Sequence, residues 1–220
     1  QQVLKISFVL KFIDKERKSI IIWDADTIIL KKINFFENDN SIMYGNFNEF
    51  HKSYFITNKM ILKTLSTYYI SFLNQFIAIS VEDGKLLTQK FLNNQTGNIP
   101  KTLSKLILGN IFLAHKEYNG SMFSEYELIG QSNLLLDYSK QKLISGLRDR
   151  LDGVLTDYQI KILKVLNFKY VAYEHTHQNF LSKNMLKRNQ SWLRFLGLLI
   201  KKLSNNLFRG LRHHVKYMIY

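Results

Sequence analysis

The sequence predicts an α/β fold, and three observations carry that prediction. Residues 19–23 (SIIIW) and 169–173 are short runs rich in β-branched and aromatic residues. They alternate along the chain with stretches whose apolar residues recur at helical spacing. Residues 20–23 are continuously apolar, the pattern of a strand buried on both faces as in a parallel sheet. Finally, 220 residues with 46% hydrophobic and 14% aromatic content can bury one sizeable core and are not a disordered chain.

Each element has its own reason. Residues 2–16 read as a helix because Val3, Ile6, Val9, Leu10 and Ile13 fall on one side. The strand at 19–23 runs straight into Asp24-Ala25-Asp26, and residues 27–30 form a second extended piece. Another short strand is expected at 41–44, before a polar turn containing Gly and Asn. Residues 56–68 look helical, 76–80 extended, and 82–92, 101–113 and 124–138 helical. A helix at 156–166 then leads into the strand at 169–173. Residues 147–150 do not read as a strand. No internal repeat and no linker precede residue 180, so the expected division is a body, 1–180, and a C-terminal helix, 181–220.

Composition removes several classes of function. Without cysteine there is no disulfide framework, thiolate metal site or Cys nucleophile, and a reducing compartment fits. One Pro and ten scattered Gly argue against collagen-like, linker-rich or repeat architectures. The chain opens with Gln and no signal-peptide pattern follows, so it is expected to be a piece of a longer protein. GxGxxG, Walker, HExxH and GxSxG patterns are absent, which weakens dinucleotide oxidoreductase, P-loop ATPase, zincin and serine hydrolase readings.

The net charge of +14 is uneven. Nine of the excess positive charges lie in residues 181–220, which hold no acidic residue. On a helix at ~100° per residue, Trp192, Phe195, Leu196, Leu199, Leu203, Leu207 and Leu211 form one stripe. Arg194, Lys201, Arg209, Arg212 and Lys216 lie opposite. Such a basic, aromatic-edged amphipathic helix suits an anionic membrane surface, with Trp192, Arg194, Lys201, Lys202 and Arg209 as contacts. The competing reading is a helix packed on the body with a solvated basic face. No DNA- or RNA-binding motif appears, so nucleic acid is not an expected partner.

The acidic pair is the most informative segment. Two carboxylates two residues apart at a strand end point to the same side of the backbone. Strand ends in parallel α/β sheets border the ligand crevice. Like-charge repulsion there is relieved by a hard divalent cation, Mg²⁺ or Mn²⁺, which can also hold a diphosphate. An acidic, solvated turn is the plainer alternative. Phosphatases of the haloacid-dehalogenase type also end an apolar strand in Asp-x-Asp, but they want Thr or Val two residues after the second Asp, where this chain has Ile28. A second segment, Asp152-Gly153-Val154-Leu155-Thr156-Asp157, resembles part of the same phosphatase loop but has Arg150 at the nucleophile position.

Asp24-Ala25-Asp26-Thr27-Ile28-Ile29 resembles the DxD segment of GT-A nucleotide-sugar transferases. The chain more specifically resembles a bacterial glycosyltransferase-like family long labelled a domain of unknown function. The matching pieces run in order over about residues 1–140: Gln1-Gln2-Val3-Leu4-Lys5, the DxD strand, Tyr44-Gly45-Asn46 with His51 and Tyr54, and Phe123-Ser124-Glu125-Tyr126-Glu127-Leu128. The resemblance implies a GT-A-like, Rossmann-like mixed sheet flanked by helices. Because such folds bind the nucleotide base with strands before the DxD, it also implies that the N-terminal donor-binding part is largely missing.

The resemblance further implies roles. Asp26 would coordinate Mn²⁺ or Mg²⁺, and Asp24 would contact the cation shell or the donor ribose. Glu125 is the candidate acceptor-side base or hydroxyl-binding group, since a Ser124–Glu127 capping box already accounts for Glu127. His51 and Tyr54 are substrate-binding candidates. His175 and His177 follow a strand and could complete the metal shell. The expected activity is metal-dependent transfer of a sugar from a nucleoside-diphosphate sugar to a glycan or lipid-linked acceptor at the cytoplasmic face of the plasma membrane. The alternatives are a haloacid-dehalogenase-type phosphatase and a non-enzymatic module that binds membrane surfaces or polyanions.

Overall fold

The computed structural model describes residues 2–16, 18–46, 51–63, 70–92, 98–115, 121–134, 141–144, 146–149, 154–173 and 191–217. In chain order its elements are α1 (Gln2–Glu16), β1 (Ile20–Trp23), β2 (Thr27–Ile29), β3 (Phe36–Glu37), β4 (Asn40–Ser41), β5 (Met43–Gly45), α2 (Lys52–Leu62) and β6 (Phe76–Ile79). Then follow α3 (Val81–Leu92), α4 (Ile99–Ala114), α5 (Glu125–Leu134), β7 (Gln141–Leu143), β8 (Gly146–Asp149), α6 (Asp157–Val165), β9 (Tyr170–Tyr173) and α7 (Trp192–Tyr217). The class is mixed α/β, with small mixed sheets. Two compact units share the chain: unit 1 is Gln1–Trp23 with Asn34–Leu143, and unit 2 is Asp24–Ile33 with Ile144–Tyr220.

Unit 1 is built on the apolar side of α1. Ile6, Val9, Leu10 and Ile13 are buried there, and α1 packs on α3, α4 and α5. The approach to α3 is close because Gly84 lies under Ile13: a Cβ at Gly84 would sit 2.3 Å from Ile13 Cδ1. Gly130 of α5 lets in the Phe72 ring in the same way, at 2.1 Å from where its Cβ would be. Strand β6 is buried along its whole length and pairs antiparallel with β1, Ile20 opposite Ile79 and Trp23 opposite Phe76. A second pairing, β5 with β7, is parallel. Strands β3 and β4 form a hairpin whose two-residue turn, Asn38-Asp39, has φ values of 49° and 63°. Asn and Asp tolerate that left-handed region better than other non-glycine residues.

Unit 2 has its own core, of Leu147, Leu155, Leu163, Phe168, Val171, Phe195 and Leu199. Its sheet runs β2–β9–β8, with β2 antiparallel and β8 parallel to β9. Helix α6 starts in a capping box: Thr156 accepts from Gln159 N–H while the Gln159 side chain accepts from Thr156 N–H. The Thr156-Asp157 part of the phosphatase-like segment thus has a local structural role. Asp152 and Gly153 lie outside the described residues.

Three sequence expectations need correction. β1 is neither in a parallel pairing nor buried on both faces: its partner is antiparallel and Ile21 is 41% exposed. A continuous apolar run reports hydrophobicity and says nothing of strand direction. Residues 146–149 do form a strand, β8, whose Leu147 is fully buried beside β9. Helix α2 begins at Lys52, earlier than the periodicity indicates. Helix α7 places Phe195 and Leu199 in the core of unit 2.

Candidate active site

The acidic pair follows the end of β1, and that end is tightly held within unit 1. The Trp23 indole stacks on Phe76 at 5.0 Å and 8°, and Phe35 meets both rings edge-on. Next in the chain, Asp24 C=O accepts from Thr27 N–H at 3.1 Å, so residues 24–27 form a hydrogen-bonded turn. β2 begins at Thr27 and pairs with β9, and Tyr173 N–H donates to Asp26 C=O at 2.9 Å. The Thr27 hydroxyl donates to Asp26 Oδ1 at 3.4 Å. Asp24 is half-buried and Asp26 is exposed.

This arrangement alters the sequence argument in one respect. The alternation that sends residues 24 and 26 the same way belongs to extended backbone, which stops at Trp23. The pair is instead presented by a turn whose main chain is bonded at both ends. Beside it, burial raises the Tyr173 phenol above its usual range, an effect partly offset by Leu155 N–H at 3.5 Å. Among the described residues no group of three or more His, Asp or Glu could hold a metal ion. His175 and His177 lie outside the described residues. Asp24 and Asp26 are the two carboxylates of this turn. One or two carboxylates plus substrate phosphate oxygens and water are a normal Mg²⁺ shell.

The remaining catalytic and substrate-binding candidates belong to unit 1. Glu125, at the start of α5, is only 3% exposed, and Lys5 of α1 bonds its Oε1 at 2.8 Å. The same ammonium lies 4.9 Å over the Tyr126 ring and 3.4 Å from its hydroxyl. Glu125 is thus a buried, charge-paired carboxylate. Ser124 Oγ accepts from the Glu127 N–H at 3.4 Å, one of the two bonds of the expected capping box. The Glu127 carboxylate, fully buried, is engaged by the Ser71 hydroxyl and by Gln131 Nε2 at 3.3 Å. It ties α5 to the segment before β6. His51 occupies the N-cap of α2 and its ring lies 4.8 Å from that of Tyr54, within one turn of helix. Asn46 is buried and structural, donating to Leu73 C=O at 3.1 Å and to Asn74 Oδ1 at 2.6 Å.

Several polar groups in this unit are not evident from the sequence. Lys5 sits beside the apolar side of α1, and no local pattern announces a partner 120 positions away. Asp83 is buried against the Ser41 and Ser80 hydroxyls, the latter at 2.6 Å. The Ser80-to-Asp83 spacing is a legible cap for α3, with Ser80 Oγ accepting from Asp83 N–H at 3.1 Å. His115 Nε2 lies 2.9 Å from the Thr57 hydroxyl, which donates to Met122 C=O. The hydroxyl proton being used, His115 donates from Nε2.

No family model matches the chain, and no curated protein or solved structure resembles it at a significant level.

Proposed function

We propose that this chain is the DxD-bearing part of a GT-A-like glycosyltransferase that uses Mn²⁺ or Mg²⁺ to transfer a sugar from a nucleoside-diphosphate donor to a glycan or lipid-linked acceptor. The observation that carries the reading is the presentation of the acidic pair. An apolar strand delivers Asp24-Ala25-Asp26 into a turn whose main chain is fixed by Thr27 and Tyr173, while the Asp26 carboxylate remains exposed to solvent. Two carboxylates carried on a turn whose main chain is held in this way suit a cation that takes its other ligands from a diphosphate and water.

The chemistry follows from the leaving group. A nucleoside diphosphate departs with charge building on its oxygens, and a divalent cation neutralises that charge as a Lewis acid. Asp26 would hold the cation, and Asp24 the cation shell or donor ribose. The chain need not supply the protonated acid that glycosidases require.

Nucleoside diphosphate release tests the proposal. A panel of uridine- and guanosine-diphosphate hexoses would be incubated with the protein and Mn²⁺, with and without chelator. Release should require the metal and fall by roughly 100-fold or more in Asp26→Ala. Mn²⁺-dependent release unchanged in Asp26→Ala defeats the assignment. Turnover of p-nitrophenyl phosphate that is lost in Asp24→Asn, without any diphosphate release, replaces it with the phosphatase.

A further inference from the structure

Helix α7 carries more apolar surface than its core seat uses. Phe195, Leu199 and Lys202 are buried on unit 2, with Leu198 half-buried beside them. Yet Leu193 is 85% and Ile200 67% exposed, and Trp192, Leu196 and Leu203 are each 45% exposed. At ~100° per residue, these five side chains occupy one continuous arc of about 100°. One edge of the arc adjoins the buried seam. The other passes over Gly197 and Ser204 to the exposed Arg194 and Lys201. A Cβ built at Gly197 meets nothing within 4 Å, so this edge is open.

We infer that this second face of α7 is a docking surface for an anionic lipid bilayer, with the helix lying in the interface plane. Charge complementarity selects the occupant. Along Trp192–Tyr217 the sequence has six Lys and Arg and no Asp or Glu. A second copy of the helix would bring cation against cation. A nucleic acid would attract the cations but leave Leu193 and Ile200 in water. An anionic headgroup layer over hydrocarbon accommodates both kinds of side chain at once. Among the described residues no helix is long and apolar enough to cross a membrane, which fits a helix that lies on the surface. Lys202, being buried, is not part of this face, although the amphipathic pattern of the sequence includes it among the membrane contacts. Arg209 lies on α7, and its side chain is outside the described residues.

The test is co-sedimentation of the full chain with phosphatidylglycerol/phosphatidylcholine vesicles and with vesicles of phosphatidylcholine alone. The chain should partition onto the anionic vesicles and weakly, if at all, onto the neutral ones. Leu193→Ser with Ile200→Ser should weaken that binding at least ~10-fold. Arg194→Ala with Lys201→Ala should weaken it roughly 25-fold and flatten its salt dependence. All four positions are exposed, so unchanged far-UV circular dichroism would separate lost binding from lost folding. Three results overturn the inference: equal retention on neutral and anionic vesicles, full retention on anionic vesicles by the Leu193/Ile200 variant, or concentration-dependent self-association without vesicle binding. None of these readouts depends on sugar transfer.

Discussion

Lys5 and Glu125 meet at 2.8 Å with the carboxylate almost wholly out of water, and their pairing decides what Glu125 can do. Removing one partner of a buried pair leaves an uncompensated charge, whereas replacing both with apolar groups is far less damaging. Lys5→Met should therefore cost about 3 kcal/mol in denaturant unfolding, and Lys5→Met with Glu125→Leu should recover most of that loss. Near-zero cost for Lys5→Met would mean that the carboxylate does not depend on the ammonium, which would make Glu125 available as a base. The glycines give a second residue-scale prediction. A methyl at Gly130 collides with Phe72, a fully buried ring that has little room to move. Gly130→Ala should destabilise by about 2–3 kcal/mol, within the range of overpacked cores, and thermal melting would measure it. Stability equal to wild type would show that Phe72 can yield.

At the scale of elements, the sequence makes legible whatever is local. The helix α1, the Ser124 cap on the Glu127 N–H and the end of β1 at Trp23 all follow from spacing and residue type within a few positions. Long-range facts are not legible. β1 and β6 are each apolar, and nothing in either run dictates that they pair antiparallel. β8 escapes detection because a four-residue strand beginning at Gly146 carries too little pattern of its own. Its identity comes from Tyr170, whose ring lies against that glycine: a Cβ there would be 2.0 Å from Tyr170 Cζ. The apolar stripe of α7 is visible in the sequence, but which part of it is buried is not. Only the packing of Phe195 and Leu199 on unit 2 splits the stripe into a seated seam and an open face. The acidic pair is likewise legible by type, whereas the turn that presents it depends on β9, far along the chain.

At the scale of the whole molecule, two separate hydrophobic cores invite a test of independence. Phe195 is fully buried in the core of unit 2, and Phe195→Ala should cost about 3–5 kcal/mol. Hydrogen exchange should report that loss in β9 and α6, while the amides of β6 in unit 1 keep their protection. Equal loss of protection in both units would show that they unfold as one cooperative body. The way the two cores share the chain has a temporal consequence. In chain order, unit 2 takes residues 24–33, which interrupt unit 1, and residues 144–220, which follow it. A ribosome therefore emits the Asp24–Asp26 turn long before the strand that bonds it. The nascent polypeptide must carry that acidic turn with only its local Thr27 bond until Tyr173 clears the exit tunnel and can donate to Asp26.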